Sequence, residues 1–341
     1  MVTMPSSALK FLAPAWFSIV MGLCGLALAW RRAADLMGEM ATGFAIVAGL
    51  LALAVFVLLA VASALRMARH PEAWAEDRAH PVRHAFMAAM PVSLILLATV
   101  AVALLEPDRQ ATPVLFVLVD GAWWLGSLVQ WGVTLWTLSR WWQGNKPGGL
   151  QWAVLTPALF IPVVGNVLVP LAGVPLGHAE WSAAQFGLGV MFWPVVLVLL
   201  MVRIATQGLW PDRMLPASLI LVAPPAVIGL SALQFGAPQL VGWALWGAAL
   251  FCLLWVAMLM RRIIAQPFSM AHWGLSFPLA AFTALTLRLA EPGHLLAVLG
   301  PILLALCSLV IMGLALATVR GLRQGSLLAP EPVASIQPVG N

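Results

Sequence analysis

Asp120 and Arg288 are the two charges of this sequence that fall within or beside long apolar runs. An ionised group in hydrocarbon costs about 2.5 to 3.5 kcal/mol on insertion scales, so each must face protein or water and find a partner. Asp120 lies well inside the run 111–139, about 13 Å from its nearer end. A carboxyl at that depth can carry protons, line an ion path, or serve as a hydrogen-bonding group between helices. The last role is favoured, because proton relays use several intramembrane acids or histidines and no second acid accompanies this one. Arg288, close to the end of the run 271–289, can snorkel to the interface or attract anions to a channel mouth.

The histidines lie in loops or near the ends of apolar runs. His70, His80 and His84 share one segment with Glu72, Glu76 and Asp77, donor types that suit a metal, yet the segment reads better as a solvated loop. No H-E-x-x-H, G-x-S-x-G, Walker-type or G-x-G-x-x-G pattern occurs, so neither enzyme machinery nor a cofactor site is visible. Cys24, Cys252 and Cys307 sit in apolar sequence without C-x-x-C spacing and read as small buried hydrophobes, not as a disulfide framework or a zinc site.

The elements that position these residues are membrane spans. Of 341 residues, 62% are hydrophobic and 9% charged, against about a quarter charged in a soluble domain. Counted against the roughly 20 residues that cross a bilayer, the runs give ten spans. They are 11–30, a part of 41–65, 85–105, 111–139, a part of 150–177, 181–202, two in the uncharged stretch 214–260, about 271–289, and 295–319. The stretch 214–260 is twice too long for one crossing and divides at Gly236-Ala237-Pro238, a turn signal. Only Lys10 precedes the first run, and no small-residue cleavage site follows it before Arg31, so it reads as a retained helix. The expected organisation is a cytoplasmic N-terminus (1–10), a ten-helix domain (11–322) and a disordered cytoplasmic tail (323–341).

With the N-terminus inside, thirteen of the seventeen Lys and Arg fall on the cytoplasmic side, leaving Arg31, Arg32, Arg109 and Arg288 outside. This bias predicts both termini in the cytoplasm. The net charge of +5 is scattered between apolar runs and forms no basic face, which argues against a nucleic-acid partner. Prolines concentrate in the odd-numbered spans, at Pro14, Pro91, Pro157, Pro162, Pro224, Pro225 and Pro278, whereas Pro194 is the clear even-span case. An interior proline frees a carbonyl that lipid cannot satisfy. The expected fold is therefore an all-α integral membrane protein of five helical hairpins, the first helix of each kinked and facing protein or water, the second straighter and facing lipid.

Several segments, in order, resemble the tellurite-resistance/dicarboxylate transporter family of TehA-like proteins, which includes the plant slow anion channels. The opening run Phe11-Leu-Ala-Pro14-Ala-Trp-Phe17 through Gly22, Gly25 and Trp30 is similar to the family's first helix. His80-Pro-Val-Arg-His-Ala-Phe86 with Pro91 resembles its loop and third helix, and Trp124, Gly126 and Gln130 its fourth. Ala223-Pro224 is similar to the seventh helix, and Trp273-Gly-Leu-Ser-Phe-Pro278 to the ninth.

The resemblance implies that the odd-numbered, proline-kinked helices line a central pore, with kinks at Pro14, Pro91, Pro162, Pro224 and Pro278. It implies a gate at Phe277, which the bare sequence does not single out among fourteen phenylalanines. Independently of the family, a residue before proline is pushed from helical geometry, so Phe277 is expected at a bend. The resemblance further implies a homotrimer in the bacterial inner membrane, each subunit passing small anions such as chloride, nitrate, sulfite, tellurite or C4-dicarboxylates. Pro278 stands where some bacterial relatives have glycine, which bears on the local kink. The competing reading is a proton-coupled dicarboxylate or sulfite exporter, for which Asp120 would be the supporting residue.

Overall fold

The computed structural model describes residues 6–106, 110–144, 146, 149–152 and 155–329. Among these residues no strand occurs, and ten helices are long and apolar enough to cross a membrane. They are α1 (Pro14–Met37), α2 (Glu39–Arg69), α3 (Arg83–Leu105), α4 (Pro113–Trp141) and α5 (Pro157–Leu176), followed by α6 (Ala179–Gln207), α7 (Asp212–Gln234), α8 (Gln239–Ala257), α9 (Met270–Arg288) and α10 (Leu295–Arg323). The division at Gly236 holds: its φ of 84° is a left-handed conformation that suits glycine, and Pro238 then precedes α8.

The first span is longer than its apolar run. Arg31 and Arg32 end the hydrophobic stretch but not the helix, which continues to Met37 and places Asp35 in its last turns. Gly38, with φ 72°, is the whole connection to α2.

Burial divides the helices into two sets. Over their most apolar stretches the odd-numbered helices are 61 to 89% buried and the even-numbered ones 17 to 33%. Exposed apolar side chains such as Val47, Leu58, Val114, Val198, Phe251 and Leu309 lie on even helices. Faces so extensively apolar are stable only against hydrocarbon. The odd helices form the inner set, and α1 packs directly on α9, α3 and α2.

Every odd helix opens with a 3₁₀ segment: Pro14–Phe17, Arg83–Ala88, Pro157–Leu159, Asp212–Val222 and Met270–Leu275. The prolines belong to this feature and do not break finished α-helices as expected. Pro14 begins the 3₁₀ turn of α1. Pro91, Pro162, Pro225 and Pro278 each occupy the third residue of the α-helical part that follows, with Pro224 at the second. A proline there has no N–H to donate back into the 3₁₀ segment, and the missing bond favours a change of helix type at that point. Prolines inside α-helix occur at Pro194 and Pro301 of the even set and, near the end of α5, at Pro175.

The segment between α2 and α3 is not the solvated loop expected. Pro71–Ala79 is a helix, and Asp77 is fully buried between two arginines, Arg66 Nη2 at 2.7 Å and Arg83 Nε at 3.3 Å. Arg66 also donates to the carbonyls of Lys10 and Ala73. A buried carboxylate must be paired, and this pair fastens the N-terminal segment, α2 and the start of α3 together. At the start of the expected tail, Gly325 follows α10 with φ 70° and Ser326 N–H donates to the Gly321 carbonyl. Residues 330–341 lie outside the described residues, as does Arg109.

Candidate functional site

Two cavities lie within the inner set. The smaller, about 70 Å³, is bounded by the N-terminal halves of the odd helices, including Ser18, Met21, Phe86, Phe160, Ala217 and Met270. The larger, about 310 Å³, is bounded by their C-terminal halves. All five odd helices contribute to both, and among the described residues none that lines them belongs to an even helix. Because the N-terminal halves share one cavity and the C-terminal halves the other, the five odd helices run parallel.

The cavities differ in polarity. Ser18 is the one hydroxyl-bearing residue lining the smaller, which is otherwise apolar. The larger ends among Arg31, Arg32, Asp35, Glu106 and Gln234. Arg31 is held there by donating Nε–H to the Ala103 carbonyl at 3.0 Å. Arg32 lies within electrostatic reach of Arg31, Arg288 and Asp35, so two acids and a group of arginines share one mouth.

Three residues line both cavities: Leu168, Val227 and Phe277. They come from α5, α7 and α9 and lie where the two cavities adjoin. Phe277 is buried and is the second residue of the α-helical part of α9. Pro278, ahead of which a bend is expected, is the third residue of that part. The change from 3₁₀ to α geometry ends at Leu275 and absorbs the steric demand of the proline ring.

Glycine on α1 makes room for this arrangement. A Cβ at Gly25 would stand 2.8 Å from the Ala280 Cβ and 3.2 Å from the Phe277 ring, and one at Gly22 would overlap the Ser276 side chain. Trp273 Nε1–H donates to Thr318 Oγ1 at 2.9 Å and ties α9 to α10.

The other residues singled out by sequence lie elsewhere. Asp120 lines neither cavity; it faces the outer surface of α4 half-buried, with its Oδ1 2.6 Å from His178 Nε2. His178 precedes α6 and stacks on Trp123, beside Trp124. Arg288 ends α9 exposed and lines neither cavity. Pro91 lines neither, whereas Pro224 and Pro278 line the smaller one. Among the described residues no group of three or more His, Cys, Asp or Glu is placed to hold a metal ion.

Sequence reasoning missed Leu168 and Val227, for which nothing in an apolar chain gives a signal. It also missed the mouth formed by Arg31, Arg32, Asp35 and Glu106. That signal was available, since four charges cluster where the first and third spans end.

The sequence matches the voltage-dependent anion channel family over residues 12–319. It is 24% identical to the tellurite resistance protein TehA homolog of Haemophilus influenzae over 270 residues, covering 78% of this chain and 77% of that protein. It is also 24% identical to the guard cell S-type anion channel SLAC1 of Arabidopsis thaliana over 289 residues, which is 82% of this chain and half of that longer protein. A match so nearly complete, on a bundle with ten membrane-crossing helices, places the protein among anion transporters and not enzymes. The chain belongs to the voltage-dependent anion channel family.

Proposed function

We propose that the five odd helices enclose a pore for small anions, closed at its middle by the ring of Phe277. The observation that carries this reading is the pair of cavities lined by those helices alone and divided by Leu168, Val227 and Phe277. An anion keeps its hydration shell in the charged mouth and loses it at an apolar constriction, so such a partition blocks conduction without a charged gate. The Lys/Arg bias puts the smaller cavity on the cytoplasmic side and the mouth with Arg31 and Arg32 on the periplasmic side. The parallel odd helices then point their N-terminal, positive ends inward.

The substrates are small inorganic anions of the chloride and nitrate kind, with sulfite, tellurite and C4-dicarboxylates as the larger candidates. The protein works as a homotrimer in the bacterial inner membrane, each subunit with its own pore. The proton-coupled exporter loses the residue that suggested it, because Asp120 lines neither cavity and is matched with His178. Anion flux into proteoliposomes tests the reading: chloride and nitrate should equilibrate passively and faster through Phe277→Ala. Flux that requires a pH gradient would overturn it.

A further inference from the structure

Opposite Phe277, the partition is supplied by the least regular helix of the fold. α5 is 3₁₀ at Pro157–Leu159, α-helical at Phe160–Val164, 3₁₀ again at Gly165–Leu168 and α-helical at Pro170–Leu176. Leu168 is the last residue of the mid-helix 3₁₀ segment. Such a segment has poorer hydrogen-bond geometry than the α-helix and persists where its surroundings hold it.

Here side chains do so. Gln130 Nε2 on α4 donates to the carbonyls of Ile161 at 3.2 Å and Pro162 at 3.1 Å. Thr134 Oγ1 lies 2.7 Å from the Pro162 carbonyl and accepts from Asn166 Nδ2 at 2.8 Å. Asn166 Nδ2 also reaches the Val163 carbonyl at 3.2 Å. From α7, Ser231 Oγ–H donates to the Val167 carbonyl at 2.6 Å, one turn beyond Val227. Gln130, Thr134, Asn166 and Ser231 are all fully buried. Packing alone would be served by apolar side chains, yet among the described residues Gln130 Oε1 and Asn166 Oδ1 meet no donor.

We propose that Gln130, Thr134 and Asn166 are positioning residues that hold Gly165–Leu168 in its 3₁₀ form and so press Leu168 against Phe277 as the second half of the seal. The inference rests on the pore reading and extends it. Its geometry follows from the two helix types: 3₁₀ turns 120° per residue and the α-helix 100°. Relaxation of four residues to α-helix therefore swings Leu168 by about 80° and draws it back by about 2 Å. Seal tightness then depends on hydrogen bonds made on the outer side of α5, away from the cavities.

The test is chloride flux in proteoliposomes, normalised to folded protein, for Thr134→Val, Thr134→Ser, Leu168→Ala, Phe277→Ala and the double variant Thr134→Val/Leu168→Ala. Thr134→Val removes the hydroxyl's contacts to the Pro162 carbonyl, to Asn166 and, within α4, to the Gln130 carbonyl at nearly constant shape and should raise flux at least threefold, whereas Thr134→Ser keeps them and should retain the wild-type rate. Leu168→Ala should be leaky, and Thr134→Val should add nothing in that background, an outcome a merely structural role does not produce. Should Thr134→Val fail to fold, Gln130→Met takes its place with the same expectations. If Phe277→Ala opens the protein while Leu168→Ala or the clamp variant does not, the clamp falls and the gate stands. If Phe277→Ala itself conducts no faster, the pore reading fails first.

Discussion

Gly25 of α1 and Phe277 of α9 are packed so closely that a single methyl group on the former would stand 3.2 Å from the ring of the latter. The same methyl would lie 2.8 Å from the Ala280 Cβ, which cannot swing aside. Gly25→Ala therefore has to part α1 from α9 or turn the ring. We expect a stability loss of about 1 to 3 kcal/mol, the usual scale of overpacking, together with a two- to fivefold higher basal conductance. Thermal melts and bilayer recordings on one preparation check both; a destabilised but equally tight protein would show that the ring is not set by α1.

Phe277→Ala should raise conductance strongly and Phe277→Leu less so. The ring borders cavities on both sides, so its removal should cost less than the roughly 3 to 5 kcal/mol of a Phe→Ala change in a filled core. Recordings normalised to surface expression decide the point. Unchanged current in a well-folded Phe277→Ala protein removes the gate.

For Asp120 the expected outcome is structural. Asp120→Asn keeps a hydrogen-bonding group 2.6 Å from His178 Nε2 and should leave flux unaltered. Asp120→Ala strands the imidazole against Trp123 and should lower the melting temperature by several degrees, since the loss of one partner costs about 1 to 3 kcal/mol. A Asp120→Asn protein that loses a dependence on pH gradient, seen in wild type, would restore the exporter.

At the mouth, Arg32→Gln should reduce anion entry and Asp35→Asn should increase it, each about two- to fivefold at low salt. Both effects should fade towards 1 M salt, where the Debye length falls to about 3 Å. Reversal potentials and conductance over a salt series provide the measurement. Equal effects at all salt concentrations would point to altered packing, not to a field.

Asp77→Ala should be among the most damaging single changes outside the inner set. It leaves Arg66, itself buried, without its counter-ion, and breaking such a pair costs about 3 to 5 kcal/mol. Denaturation in mild detergent checks the magnitude. A loss below about 1 kcal/mol would mean that water reaches the pair.

The spans were legible because crossing a bilayer demands a length and a composition that a sequence displays directly. What hydropathy did not display is where a helix ends when the charges that close its apolar run face a shared cavity, as Arg31 and Arg32 do. The prolines were visible in the odd set, but the sequence did not show that Pro91, Pro162, Pro225 and Pro278 follow directly on 3₁₀ segments, which only the neighbouring hydrogen bonds reveal. Asp77 looked solvated because charge density in sequence says nothing of what packs over it. Phe277 was reachable through family likeness. Leu168 and Val227 were not reachable at all, since their place beside both cavities arises from three helices meeting and no local pattern records that meeting.

One glycine has a mechanical consequence. Gly38 alone joins α1 to α2, so the inner helix that cradles Phe277 has no slack and cannot tilt without dragging an outer helix sideways through lipid. The friction of the acyl chains and the lateral tension of the membrane thus load the same lever that touches the ring. Bilayers of different thickness or stiffness should alter how fast the protein opens even when its own sequence is unchanged.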